Sequence, residues 1–112
     1  MTIPSPVQSY FNAWRSQVAQ ANRTRARSLA RASAKNASNI LGQIEWDAKI
    51  SSACDEALRA TEDLGRVLGR PIAPAGDIED ARNKALAALD AFGKTLELAK
   101  LTTATKILHG LG

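Results

Sequence analysis

Proline stands at only four positions, Pro4, Pro6, Pro71 and Pro74, so nothing from Val7 to Arg70 removes a backbone donor or sets φ against a helix. Two prolines open the chain and two mark one central turn. The proline-free stretch also carries helical apolar spacing. Val7, Tyr10, Phe11, Trp14, Val18 and Ala21 recur at intervals of three and four, and so do Ile50, Cys54, Ala57, Leu58, Thr61, Leu64 and Leu68. Runs of alternating β-branched residues are absent, so no strand pattern competes.

The boundaries follow from local chemistry. Ser5-Pro6-Val7-Gln8 reads as a helix start, with Ser5 as N-cap, Pro6 at the first helical position and Gln8 reaching back. The segment Gly69 to Gly76 reads as the main turn: Gly69 takes a left-handed C-cap, Pro71 blocks continuation, and Asp77 with Asp80 starts the last helix against its dipole. Arg25, Asn36, Asn39, Gln43 and Asp47 fall where the apolar stripe would continue. An unbroken helix of about 60 residues would measure about 95 Å, so a break is placed near Asn36–Gly42. The last helix has its stripe at Ile78, Ala81, Ala85, Leu89, Phe92, Leu96, Ala99, Thr103 and Ile107, with Leu86, Leu101 and Leu108 opposite. The expected fold is therefore all-α: one domain over 1–112, with three long helices at about 6–37, 40–68 and 77–109 in an antiparallel bundle or extended helical hairpin.

A chain of 112 residues can bury one core, and here the core is thin, because 21 of the apolar residues are alanine. A helix that is apolar on two sides must be covered on two sides. Both points predict self-association, through Phe11, Trp14 and Val18 of the first helix and Leu86, Leu101 and Leu108 of the last. A single cysteine cannot form an intramolecular disulfide, and no apolar run approaches the length of a bilayer span. The address expected is cytoplasmic, although an Arg-rich, acid-free N-terminal segment also has the composition of an organellar transit peptide.

Charge is segregated along the chain. No Asp or Glu precedes Glu45, whereas the same stretch carries Arg15, Arg23, Arg25, Arg27, Arg31 and Lys35. On one helix, Arg23, Arg27, Arg31 and Lys35 would form an i, i+4 ladder facing away from the Val7–Val18 stripe. Like charges at that spacing repel by a few tenths of a kcal/mol per pair, and no local acid relieves them. Arg23, Arg25, Arg27, Arg31 and Lys35 are thus the candidate contact residues for an acidic protein surface or for nucleic acid phosphates. A membrane surface, suggested by Tyr10, Phe11 and Trp14 ahead of the arginines, ranks third. Arg25-Ala26-Arg27-Ser28 and Arg31-Ala32-Ser33 also look like basic-directed phosphorylation sites.

Enzymatic readings find little purchase. His109 is the sole histidine and reads as a group easing a helix C-terminus. Cys54 lies on the apolar stripe beside Asp55 and Glu56, whose field opposes thiolate formation, so it reads as a core residue. Asp55, Glu56, Glu62 and Asp63 could line an acid–base site, but Arg59 and Arg66 stand at i+3 and i+4 partner positions, which makes an ion-paired helix face the better account. A zinc site wants several Cys or His, and Gly65 to Arg70 follows no strand and is no phosphate loop. The sequence reading is a non-enzymatic helical interaction protein, an adaptor, inhibitor or assembly factor, with no catalytic residue, metal or cofactor, whose Arg-rich first helix docks an acidic partner. The alternative is a small nucleic-acid-binding protein making sequence-nonspecific phosphate contacts through the same residues.

Overall fold

The computed structural model describes residues 3–110. Along the chain they form α1 (Ser5–Ala19), a 3₁₀ turn (Arg23–Arg25), α2 (Ala26–Leu41), β1 (Ile44–Glu45), α3 (Ala48–Leu68), α4 (Ala75–Glu97), β2 (Lys100–Leu101) and α5 (Thr103–Leu108). The class is all-α. Among the described residues four longer helices, rather than three, close a ring in which α1 packs on α2 and α4, and α3 packs on α2 and α4. Their directions alternate. Arg15 of α1 reaches Asp90 of α4 while the later Val18 reaches the earlier Arg82, and Ala26, which opens α2, lies against Gly65 near the end of α3.

The expected first helix divides at residues 20–25. Asn22 is fully extended (φ −141°, ψ 178°), and its side chain accepts a hydrogen bond from the Arg25 N–H. Asn is a strong N-cap residue, and here it ends one helical run and starts another. Arg25 is thereby turned out to solvent instead of into the core.

The break expected near Asn36–Gly42 falls at the far end of that range, at Gly42. α2 continues to Leu41, because buried Asn36 finds a partner: its Nδ2 donates to Gln17 Oε1 at 3.1 Å. Asp47 then caps α3 by accepting from the Ile50 N–H at 2.9 Å. Two polar residues that disturbed the stripe are thus a packed hydrogen bond and a cap.

Other details differ from expectation as well. Pro4, without a side-chain cap, precedes α1, so Ser5 lies inside the helix, and the Gln8 amide turns forward to Asn12. Gly69 ends α3 in the right-handed region (φ −80°, ψ −7°), so no left-handed cap forms. α4 begins at Ala75 and places Asp77 in its first turn rather than at the cap.

The last helix stops at Glu97. β2 then pairs antiparallel with β1, Ile44 opposite Leu101 and Glu45 opposite Lys100, and the Thr102 N–H donates to the Gln43 carbonyl at 3.1 Å. Thr102 caps the short α5 through a bond from the Thr105 N–H. This pairing rotates Thr103, Ile107 and Leu108 out of the α4 stripe and into solvent.

The core runs along the bundle axis. Trp14, Phe92, Leu64, Leu89, Leu96, Ile40 and Ile44 are fully buried. Phe92 stands edge-on to Trp14 with ring centroids 6.0 Å apart, a geometry favoured by the aromatic quadrupole. Gly93, also buried, lets α4 approach α1 closely, since a Cβ there would meet Phe11 Cζ at 2.9 Å.

Candidate functional site

The acid-free portion of the sequence comprises α1, the 3₁₀ turn and α2. These helices fold back on one another as neighbours, and Arg25, Arg27, Arg31 and Lys35 all sit on α2 and its N-cap. On α2 the inward face is Leu29, Ser33, Asn36, Ala37 and Ile40. Arg27, Arg31 and Lys35 consequently point outward and are exposed. They stand about 6 Å apart along the axis, and among the described residues none of them lies within ion-pair distance of a carboxylate.

Arg23 leaves the ladder. It sits in the 3₁₀ turn, before α2, and its Nη2 donates to the Pro71 carbonyl at 3.1 Å. It therefore ties the α1–α2 junction to the α3–α4 turn. Arg25 is also exposed but borders Gln17 on the α1 flank of α2, whereas Arg27 borders the α3 flank, so the exposed cations are Arg25, Arg27, Arg31 and Lys35 without forming one row. Arg15 belongs elsewhere: its Nε donates to Asp90 on α4 at 2.9 Å, and that carboxylate raises the guanidinium pKa further. On the α3 side Glu62 and Arg66 border a shallow groove that Arg27 also lines.

The residues assigned to an oligomer contact divide into two groups. Phe11, Trp14 and Val18 lie inside the chain's own core and offer no free face; Leu86 and Leu101 are partly buried against it. Leu108 is 81% exposed, and with Ile107, Leu98 and Trp46 it is among the large apolar side chains left in solvent.

The four candidate acids of α3 do not share one groove. Asp55, Glu56, Glu62 and Asp63 are all exposed. Asp63 pairs with Arg66 at 2.7 Å and lines a groove against α4 with Arg70, Asp77, Asp80 and Lys84, whereas Glu62 faces the α2 groove. Among the described residues no three His, Cys, Asp or Glu side chains gather as a metal site would require. Cys54 is 1% exposed, and its thiol pKa is pushed up to about 11, first by burial and then by the Asp55 charge. His109 is the C-cap of α5, in solvent beside Ser5, Pro6, Ser9 and Tyr10. Of the two serines in basic motifs, Ser28 is exposed and donates to the Arg25 carbonyl. Ser33 is fully buried and closed to modification in this fold.

Arg82 of α4 holds the end of α1. From α4 its Nη1 donates to the carbonyls of Val18 and Ala19 at 2.8 and 2.9 Å, and its Nη2 to that of Ala21 at 2.9 Å. The last carbonyls of a helix lack intrahelical donors and carry partial negative charge, and a guanidinium supplies both donors and charge. No local pattern around Arg82 announces this, because its partners lie some sixty positions earlier.

No family model, curated protein or solved structure matches this sequence.

Proposed function

We propose that this chain is a non-enzymatic helical docking module, an adaptor, inhibitor or assembly factor, whose α1–α2 surface receives an acidic partner. The observation that carries the proposal is the outward row Arg27, Arg31 and Lys35, with Arg25 exposed on the α1 flank of the same helix and no carboxylate of α1 or α2 to neutralise them. Neighbouring like charges on a helix cost a few tenths of a kcal/mol per pair, and an external anion removes that cost. The divergence of Asp55, Glu56, Glu62 and Asp63 favours a binding role over acid–base chemistry.

The test is retention on an immobilised polyanion at low salt, comparing the native chain with the triple variant Arg27→Glu, Arg31→Glu, Lys35→Glu. The native chain should be retained and elute with added salt. Equal retention of the triple variant would contradict the proposal.

Self-association and a cytoplasmic address belong to the same reading. Support for the first has moved from the buried Phe11, Trp14 and Val18 to the exposed Leu108 with Ile107, Leu98 and Trp46. A monomer by light scattering at micromolar concentration would count against it. The single free Cys54 suits a reducing compartment, and among the described residues no helix is long and apolar enough to cross a membrane.

A further inference from the structure

We infer that the acidic partner is duplex nucleic acid, gripped through its phosphate backbone without regard to sequence; this rests on the docking reading above and specifies its partner. The argument turns on what accompanies the cations. Besides Arg25, Arg27, Arg31 and Lys35, the segment from α1 to α2 exposes Ser16, Gln20, Asn22, Thr24, Ser28 and Ser38, while Glu62 of α3 borders the groove that Arg27 lines. Arg and Lys together with Ser, Thr, Asn and Gln are the side chains that bond phosphate oxygens and set a protein on a duplex.

A specific protein partner asks for something this surface lacks. Interfaces between proteins concentrate their energy in buried aromatic and apolar anchors with a polar rim. The large exposed apolar side chains are Trp46, Ile72, Leu98, Ile107 and Leu108, and none of them belongs to α1 or α2. Four of the five follow α2 and α4 near the β1–β2 pairing, and Ile72 stands alone in the α3–α4 turn. What α1 and α2 present is charge and hydrogen bonding without a hot spot.

A single strand is also a poor fit. Its proteins stack bases on exposed aromatic rings. Among the described aromatic residues only Trp46 is largely exposed, and it belongs to the α2–α3 linker rather than to the basic surface. Arg27, Arg31 and Lys35 span about 12 Å of helix axis, a length over which a duplex backbone offers several phosphates, one per about 3.4 Å of each strand. Four cations meeting four phosphates predict a slope of log K against log salt of about −3.6.

The experiment is a fluorescence anisotropy titration of the full chain. The probes are a mixed-sequence 20-base-pair duplex, one of its strands alone, and poly-L-glutamate, each at about 50, 100 and 200 mM salt. The expected result is duplex binding that weakens roughly 100-fold across that range. It should be the same for a second, unrelated duplex and tighter than for the single strand. Arg27→Glu with Arg31→Glu should weaken it at least tenfold, while Arg27→Lys with Arg31→Lys retains most of it, and circular dichroism confirms that both variants stay helical.

Binding of poly-L-glutamate without the duplex at 50 mM would overturn the nucleic-acid inference and leave the docking reading standing. Absence of binding to all three probes would overturn both. A single strand bound more tightly than the duplex, or a duplex affinity indifferent to salt, would overturn the inference by itself.

Discussion

The indole N–H of Trp14 on α1 donates to the Thr61 hydroxyl on α3 across 3.2 Å, and that hydroxyl donates in turn to the Ala57 carbonyl at 2.7 Å. α1 and α3 stand diagonally in the ring of helices, so this relay crosses the centre of the core. Both residues are 0% exposed, and no water can replace a lost partner. Thr61→Val keeps the shape and removes the acceptor, which should cost about 1–3 kcal/mol in urea unfolding. Thr61→Ser should recover most of that loss. If Thr61→Val unfolds at the native midpoint, the relay contributes nothing to stability.

Gly93 offers a second test. An alanine normally gains about 1 kcal/mol over glycine inside a helix, yet here its Cβ would come within 2.9 Å of Phe11 Cζ. Overpacking of a filled core costs about 1–3 kcal/mol. Gly93→Ala is therefore expected to destabilise by up to about 2 kcal/mol, and combining it with Phe11→Leu should reduce the penalty. A more stable Gly93→Ala protein would show that α1 and α4 are free to separate.

For Arg82 the expectation concerns location as well as size. Arg82→Ala removes the guanidinium donors from the carbonyls of Val18, Ala19 and Ala21, of which Val18 keeps the Ala21 N–H, and should destabilise by about 1.5–3 kcal/mol. Arg82→Lys should rescue only part of this, since an ammonium cannot reproduce the planar fork. Amide exchange should accelerate first at residues 20–25. Uniform acceleration along the chain would mean that Arg82 does not hold this junction.

Ser33 Oγ is buried without a hydrogen-bond partner, an uncommon condition for a polar atom in a packed interior. Ser33→Ala removes the unsatisfied hydroxyl and improves helix propensity, so it should raise stability by about 1 kcal/mol. Thermal unfolding would register this as a rise of about 4 °C or more. A lowered midpoint would imply that the hydroxyl has a partner in solution.

Cys54 sets a pH dependence. Burial and Asp55 push its pKa up to about 11 in the folded chain, above its value in the unfolded one. The neutral thiol is thus compatible with folding at all lower pH, and this contribution is lost as pH climbs from the ordinary thiol range through about 11. The stability advantage of the native chain over Cys54→Ala should shrink by up to about 2 kcal/mol over that interval. At pH 8, iodoacetamide should label Cys54 only as fast as the protein unfolds. Rapid labelling of folded protein would show the thiol to be accessible.

Much of this architecture is visible in residue spacing. Val7, Phe11, Trp14 and Val18, and likewise Ile50, Cys54, Ala57, Thr61, Leu64 and Leu68, are all buried where their period of three and four put them. That signal is strong because each stripe is local. The division at residues 20–25 was hidden because Ala21 extends the first stripe and no Gly or Pro interrupts it, while part of what holds the junction is Arg82 on another helix. Asn36 and Asp47 looked like defects, since only tertiary structure supplies Gln17 and only the cap geometry supplies the Ile50 N–H. The two-residue strands were too short to leave a periodicity. For the candidate surface the acid-free run was plain, since Arg25, Arg27, Arg31 and Lys35 fall within about 15 Å of one helix and its cap. Tertiary structure withdraws the other two arginines, Arg23 to the Pro71 carbonyl and Arg15 to Asp90.

The small β1–β2 pairing bears on the order in which this molecule assembles. Contacts within the α1–α2, α2–α3 and α3–α4 hairpins join segments close in sequence and carry little loop-closure entropy, which favours fast formation. Ile44 and Leu101 meet only after both α3 and α4 have run out and back. That pair is therefore a late closure, as is the α1–α4 contact of Arg15 with Asp90, which closes a still longer loop. Amides around Gln43 and Thr102 should be among the last to gain protection when the chain refolds.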